Sequence, residues 1–331
     1  MSTNLNVAVV GTSVISTAFV KACQESRSFN VKALFSRDKE KGFAFAETHH
    51  IETVYTSYED LLNDQSIQVI YLASPNDLHY PQAKQALSAG KDVISEKPMV
   101  STLAQAQTLF QLAKEKNKII VEAITSRALP NLSVLKDHLR EIGSLKLIQI
   151  DMAQYSSRYT QLKQGQLTNV FDPAHSGGVL YDLGVYPISL ILSLFGKPDQ
   201  TSYIANLYSN GADTSGILTM TYPDFKAVCS FSKDSYGLHQ SVFGGDEGYL
   251  QVVGPCNTLP QVFISKGNVI TNLSLPQNTN PLFFETIAFA ELFKSRDQAK
   301  LEALTTHSLW LAEIMETSRK QAGIVFGADQ Q

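Results

Sequence analysis

Three side chains carry enough chemistry to start from: Lys97, Asp182 and Tyr186. An ammonium stabilises negative charge developing on a neighbouring oxygen, and it lowers the pKa of a neighbouring hydroxyl. An unperturbed tyrosine, with a pKa of about 10, is poorly matched to neutral pH and becomes a usable acid or base beside such a cation. Asp182 precedes Tyr186 by four residues, a spacing that puts both side chains on one face of a helix. There the carboxylate could hold a substrate hydroxyl or orient the phenol. Each residue also has a plain alternative. Lys97 could open a surface loop, and Asp182 could sit in the first turn of a helix that buries one stripe, where its charge favours the dipole. Pro187 disfavours helical geometry at Tyr186, so the shared face is approximate.

A second chemistry is written at the start of the chain. In LNVAVVGTSVIS, residues 5 to 16, an apolar run meets Gly11 and a helix-like segment follows. A dinucleotide-binding turn belongs at such a place, yet G-x-G-x-x-G would need glycines at 11, 13 and 16, and Ser13 and Ser16 occupy the last two. Ser16 is a mild change, because a small side chain still packs there. Ser13 adds a Cβ and a hydroxyl where backbone meets phosphate. That hydroxyl can also donate to phosphate, and the helix start at Val14 and Ile15, with Thr12 before it, still offers amide donors and a positive dipole. The second strand ends in Ser36 and Arg37, with no acid before Asp38. A hydroxyl and a guanidinium suit a ribose 2′-phosphate, so NADP is expected ahead of NAD; the alternative is a solvated arginine opening a polar segment.

The elements that must position these residues fall into two grammars. Up to residue 124, β-rich apolar runs (Val7–Val10, Val31–Phe35, a weaker Thr53–Thr56, Val69–Ala73, Asp92–Ser95, Ile119–Ile124) alternate with helical stretches such as Asp77–Ala89 and Leu103–Lys116. Strands apolar on both faces and alternating with helices predict a doubly wound parallel α/β sheet of the Rossmann kind, with its ligand crevice at the strands' C-terminal ends. Lys97 follows the fifth strand, at that crevice. From 125 to 331 the pattern becomes α+β. A helix over 131–141 and a strand near 145–154 precede a polar loop over 155–176 and a helical run over 179–195. A large, mostly antiparallel sheet follows over 201–274, with a hairpin turn at Tyr222–Phe225, and helices over 281–295 and 298–322 close the chain.

Composition removes several function classes. Of 331 residues, 44% are hydrophobic and 18% charged, with a net charge of −4, so no basic excess exists to neutralise a nucleic-acid backbone. No run approaches the roughly 18 apolar residues of a membrane span. The first residues lack the features of a secretory signal, and Cys23, Cys229 and Cys256 form no disulfide framework. A cytoplasmic protein is expected. His49 and His50 are adjacent, do not share a helix face and have no partner cluster; no metal is expected, and a solvated helix end is.

Two segments, VIYLASPNDLHYPQAKQALSAGKDVISEKPM (69–99) and SGGVLYDLGVYPISLILSLFGKP (176–198), resemble the Gfo/Idh/MocA oxidoreductases, the family of glucose–fructose oxidoreductase and inositol dehydrogenase. The matching pieces are Ser74-Pro75-Asn76, His79, Gly90-Lys91 and Glu96-Lys97-Pro98, then Glu122-Ala123 and Arg127, then Gly177-Gly178, Leu180, Asp182, Gly184 and Tyr186. The resemblance covers nearly the whole chain. Tyrosine at 186, where histidine is commoner, and the R-x-x-x-P segment at 127 look most like the dimeric dihydrodiol dehydrogenases and their bacterial relatives.

The resemblance implies an NAD(P)-dependent enzyme moving hydride between nicotinamide and a carbinol or carbonyl of a sugar, cyclic polyol or trans-dihydrodiol. It implies Lys97 as the catalytic lysine, Tyr186 as its proton-transfer partner and Asp182 beside them. Glu96, Asn76 and the Ser74-Pro75 strand end would line the cofactor's ribose side, with His79 near them and Arg127 facing substrate. Strand-end capping for Glu96 and Asn76, a satisfied structural histidine at 79 and a carboxylate partner for Arg127 remain the plain alternatives. Further pocket residues are expected in the 155–176 and 232–245 stretches. A homodimer or homotetramer built on the flat sheet face is implied, with no nucleic-acid or membrane partner. The competing reading is a dinucleotide-binding regulator or scaffold that keeps the fold without turnover.

Overall fold

The apolar runs of the first 124 residues form one parallel sheet in the computed structural model, which describes residues 4–330. Its strands are β1 (Leu5–Val10), β2 (Phe29–Phe35), β3 (Thr53–Tyr55), β4 (Val69–Leu72), β5 (Asp92–Glu96) and β6 (Ile120–Ala123), in the order β3-β2-β1-β4-β5-β6. The connecting helices are α1 (Val14–Ser26), α2 (Lys39–His49), α3 (Tyr58–Asn63), α4 (Asn76–Ser88) and α5 (Leu103–Glu115). Val7, Val9, Val69 and Tyr71 are wholly buried because helices cover the sheet. Burying each such side chain contributes about 1.5–3 kcal/mol. The strand order reverses between β1 and β4, and there this topology opens its ligand crevice.

The second unit is organised around an eight-stranded sheet. After α6 (Pro130–His138) come β7 (Leu145–Ala153), α7 (Ser157–Lys163) and α8 (Val185–Phe195), the last entered through a π-helical turn at Leu180–Gly184. Seven strands follow: β8 (Gln200–Leu207), β9 (Asp213–Thr221), β10 (Lys226–Ser232), β11 (His239–Gly245), β12 (Tyr249–Val253), β13 (Gln261–Lys266) and β14 (Val269–Asn272). The order is β14-β13-β12-β11-β7-β10-β9-β8, and β7 with β10 is its parallel pair among antiparallel ones. The predicted hairpin is present, closed by Tyr222 N–H donating to the Phe225 carbonyl at 3.1 Å. One face buries Ile148, Ile150, Leu218, Met220, Cys229 and Phe231, while Leu147, Ile204 and Ile217 stand on the other, exposed face.

Several expectations are refined. The stretch predicted as a polar loop over 155–176 contains α7, because Ser156 caps it and Leu162 buries itself with Phe171 and Ala212. The helix expected over 131–141 gives way to a 3-10 turn at Leu139–Ile142 and stops at Gly143, whose φ is +76°. The helix end at 49–50 is not fully solvated. His50 is the exposed left-handed C-cap, but His49 is buried, its ring against Phe45 and its Nε2 3.4 Å from the Thr17 hydroxyl. The stretch Pro173–Phe195 is long and apolar enough to cross a membrane, yet 72% of its most apolar window is buried, as in a core helix.

The division of the chain differs from a single cut at 124. The first compact unit comprises residues 1–123 together with 278–308, and the second comprises 124–277 together with 309–331. The return segment carries α9 (Leu282–Ser295) and the start of α10 (Gln298–Gln321). Leu282, Phe289 and Phe293 of α9 join the same core as Phe19 and Phe29, and Asn280 donates to the Ala18 carbonyl at 2.8 Å. Amphipathic helices at the end of a sequence carry no sign of which sheet they will cover, so the linear reading assigned them by proximity.

Candidate active site

The crevice of the first unit is a cleft of about 630 Å³ lined by the ends of β1, β2 and β4 and the residues that follow them. Gly11, Thr12, Ser13, Ser36, Arg37, Ser74 and Pro75, all expected here, line it. Gly11 is irreplaceable at its turn. Its φ is +107°, and a Cβ would lie 2.7 Å from the Ala73 carbonyl oxygen. Its N–H donates to the Phe35 carbonyl, tying β1 to β2 at the mouth of the cleft.

The two serines that break the glycine pattern cap each other. Ser13 is the N-cap of α1, its φ of −82° is one any residue adopts, and its Oγ accepts from Ser16 N–H at 3.4 Å. Ser16 Oγ in turn accepts from Ser13 N–H at 3.3 Å, and Ser16 is wholly buried. A capping box therefore stands where two glycines usually do, and it keeps the amide-rich helix start facing the cleft. Val14 is 87% exposed, whereas Ile15 packs against the sheet core.

At the end of β2 the side chains divide. Ser36 is buried and its hydroxyl donates to the Asp38 carbonyl at 2.7 Å, so it shapes the turn. Asp38 faces α2 as its N-cap. The Lys41 amide it accepts from, chiefly, holds its carboxyl below the usual value, and the Lys41 ammonium lies 3.3 Å away. Arg37 is exposed beside the cleft. Lys41 also lines it, a residue the sequence reading missed; an aspartate N-cap turns its third residue back toward the strand end, and that was the available signal. The strained glycine cradle, the free helix start and two cations fit the phosphates of a dinucleotide.

Deeper along the strand ends the residues are braced. His79 is buried, with Nδ1 2.9 Å from the Pro98 carbonyl and Nε2 2.8 Å from that of Ser74; burial lowers its pKa while the two carbonyls oppose that. It thus ties the loop after β4 to the residue after Lys97. Ser74 Oγ donates to Gln82 at 2.6 Å, and Asn76 opens α4. Glu96 lies in the core rather than on the cleft wall: Tyr71 O–H donates to it at 2.5 Å, and burial raises its carboxyl's pKa. Lys97, half-buried, comes directly after β5. Glu122 accepts from Met99 N–H at 2.9 Å, fixing the segment just beyond.

The second unit holds the other expected residues. Gly178, with φ of +140°, comes so close to Asp213 that a Cβ would collide with its carboxylate. That approach lets buried Asp213 accept from Leu180 N–H at 2.9 Å and from Tyr203 O–H at 2.6 Å, anchoring the start of the π turn. Asp182 sits within that turn and Tyr186, half-buried, is the second residue of α8. The irregularity foreseen from Pro187 is therefore present but lies one turn earlier. A proline ring clashes with the carbonyl four residues back, here Leu183, and widening that turn relieves it. Arg127 lies half-buried on a 3-10 turn at Thr125–Ala128.

Asp182 forms an ion pair with Lys233, which no sequence motif marked. Lys233 follows β10, its N–H donating to the Thr214 carbonyl and its carbonyl accepting from Ser156 N–H, each at 2.9 Å. The next residue, Asp234, accepts from the hydroxyls of Thr214 at 2.7 Å, Ser215 at 3.0 Å and Ser232 at 2.8 Å. Lys233 lies in the 232–245 stretch, where further pocket residues are expected. Nearby, Tyr155 stacks on Tyr236, ring centroids 4.8 Å apart, and Tyr236 is 85% exposed.

A family model described as an oxidoreductase family with an NAD-binding Rossmann fold matches residues 5–123, and a GFO/IDH/MocA C-terminal domain model matches residues 138–251. The chain is 32% identical to scyllo-inositol 2-dehydrogenase (NADP(+)) IolU of Bacillus subtilis (strain 168), covering 98% of this chain and 99% of that protein. It is 27% identical to trans-1,2-dihydrobenzene-1,2-diol dehydrogenase of Oryctolagus cuniculus, covering 97% and 100%. Among solved structures, the 3-ketoreductase KijD10 of Actinomadura kijaniata, in complex with NADP and TDP-benzene, is similar with a TM-score of 0.84 at 24% identity, covering 96% and 98%, a likeness of fold.

Proposed function

The chain belongs to the GFO/IDH/MocA oxidoreductase family, and from that premise we propose that it moves hydride between NADP and a carbinol or carbonyl carbon of a sugar, cyclic polyol or trans-dihydrodiol. The observation that carries the NADP preference is the cleft wall after β2, where Arg37 and Lys41 bring two cations and Asp38, which also lines it, is engaged as the N-cap of α2. The Asp38 carboxylate is occupied by the Lys41 amide and ammonium, and two cations on the same wall favour a 2′-phosphate. The relatives that act on scyllo-inositol and on a dihydrodiol support the substrate class.

When bound, nicotinamide supplies or accepts the hydride. The protein's own residues do the rest. Lys97 stabilises negative charge on the substrate oxygen. Tyr186 exchanges that oxygen's proton, and Asp182, held by Lys233, orients the substrate's hydroxyls. Titrating the purified chain with NADPH and with NADH, followed by nicotinamide fluorescence, tests the reading. Tight NADPH binding with much weaker NADH binding is expected. Failure of both to bind at submillimolar concentration overturns it in favour of a regulator or scaffold.

A further inference from the structure

We propose that residues 324–330 form a latch that fixes the π-helical turn, which makes Arg319, Phe326 and Asp329 positioning residues for Asp182 and Tyr186; their part in the reaction rests on the function proposed above. A π turn is a rare insertion in a helix, so its surroundings must hold it. Asp213 holds its first residue through Leu180 N–H, and Lys233 pairs with Asp182. Tyr181, the residue between them, is buried and meets the Phe326 ring edge-on, centroids 4.7 Å apart. Its hydroxyl accepts from the Arg319 guanidinium.

Arg319 is the centre of the latch. It comes from α10, its side chain is wholly buried, and Asp329 takes it as a fork, Nη1 at 2.6 Å and Nη2 at 2.5 Å. A guanidinium out of water is tolerated only with such close, bidentate pairing. Asp329 also accepts from Phe326 N–H at 2.8 Å, and Arg319 donates to the Ile324 carbonyl at 3.2 Å. The segment is thus folded around the cation that holds Tyr181. The Phe326 ring lies 4.4 Å from that guanidinium as well as against Tyr181. A Cβ on Gly327 would come within 3.0 Å of the Ala174 carbonyl oxygen, so the segment also lies close to the residues that lead into Gly177 and Gly178. A charge pair and an aromatic edge therefore converge on the turn that carries Asp182 and leads into Tyr186. A misplacement of about 1 Å in such a constellation costs up to about 100-fold in rate.

Hydrogen exchange of the Leu180–Gly184 amides and steady-state kinetics of NADP-linked polyol oxidation, measured on the same variants, test the latch. Tyr181→Phe removes the hydroxyl that Arg319 holds and keeps the ring. Asp329→Asn removes the charge from the fork. Each is expected to speed exchange at Leu180–Gly184 about tenfold and to lower kcat about tenfold, with NADPH affinity and exchange around Gly11 unchanged. Asp329→Glu, which keeps the charge, is expected to restore most of the rate. Should Asp329→Asn fail to fold, Arg319→Met combined with Asp329→Leu replaces the buried pair by apolar side chains, a swap that folds often tolerate, and carries the same expectation. Wild-type exchange at the turn overturns the proposal, as does faster exchange there with kcat and substrate KM at their wild-type values. A uniform rise in exchange across the second unit also overturns it, because the segment would then be a general brace. A wild type without NADP-linked turnover would count against the function proposed above, and exchange at the turn would alone decide the latch.

Discussion

The cofactor cleft and the Asp182–Lys233 turn are built by opposite means. The cleft is made of main chain at the ends of adjacent parallel strands, and its defining requirement is the absence of a Cβ at Gly11. The turn is made of side chains from two segments distant in sequence, brought together at the end of β10, where three hydroxyls hold the neighbouring Asp234. A backbone-built site depends little on the side chains around it, and here two fingerprint glycines are serines while the start of α1 is still capped beside the cleft. A site built from side chains keeps its geometry only while each partner stays. The first half therefore holds a common cofactor and the second can diversify in specificity.

The largest expected effect separates chemistry from cofactor binding. Lys97→Met should lower kcat by about 10²–10³-fold, the range for losing a charge-stabilising group. NADPH affinity should remain within about threefold, because the cleft is lined by other residues. Oxidation of accepted polyols at the wild-type rate in this variant would remove Lys97 from the mechanism. Arg37→Ala comes next. A charged hydrogen bond to a phosphate contributes about 1.5–3 kcal/mol, so NADPH affinity should fall tenfold or more while NADH affinity stays the same. An equal loss for both cofactors would move Arg37 from reading the 2′-phosphate to holding the pyrophosphate or the turn.

What the sequence made legible follows the same divide. The six strands, the crevice, Gly11, Ser36 and Arg37 were readable because each is encoded within a few neighbouring residues. Lys41 was readable in principle, through the capping role of Asp38, and was overlooked. Lys233 was not, since its value lies in meeting Asp182, and nothing in SKDSYG announces that partner. Glu96 followed the motif in position yet spends its carboxylate on Tyr71, because burial and a phenol in the adjacent strand decide where a side chain turns. The return of α9 to the first unit was equally hidden: helical periodicity gives a helix an apolar face without naming the surface that covers it.

The smallest effect is the one that tests whether the altered fingerprint is a loss or a substitution. If Ser13 works as a cap, Ser13→Ala removes one acceptor from the start of α1 and costs about 1 kcal/mol. For a unit of this size that lowers Tm by about 2–4 °C. NADPH affinity should then change less than threefold, because the amides and the dipole of α1 remain. Ser13→Gly should cost only a few tenths of a kcal/mol, glycine being tolerated at an N-cap, while opening the approach to the pyrophosphate. Thermal melts and NADPH titrations of both variants decide the matter. A tenfold loss of NADPH affinity in Ser13→Ala with an unchanged melt would mean that the hydroxyl acts on phosphate. Side-chain chemistry would then have entered the half of the molecule that otherwise relies on backbone, and the contrast between the two sites would be narrower than their construction implies.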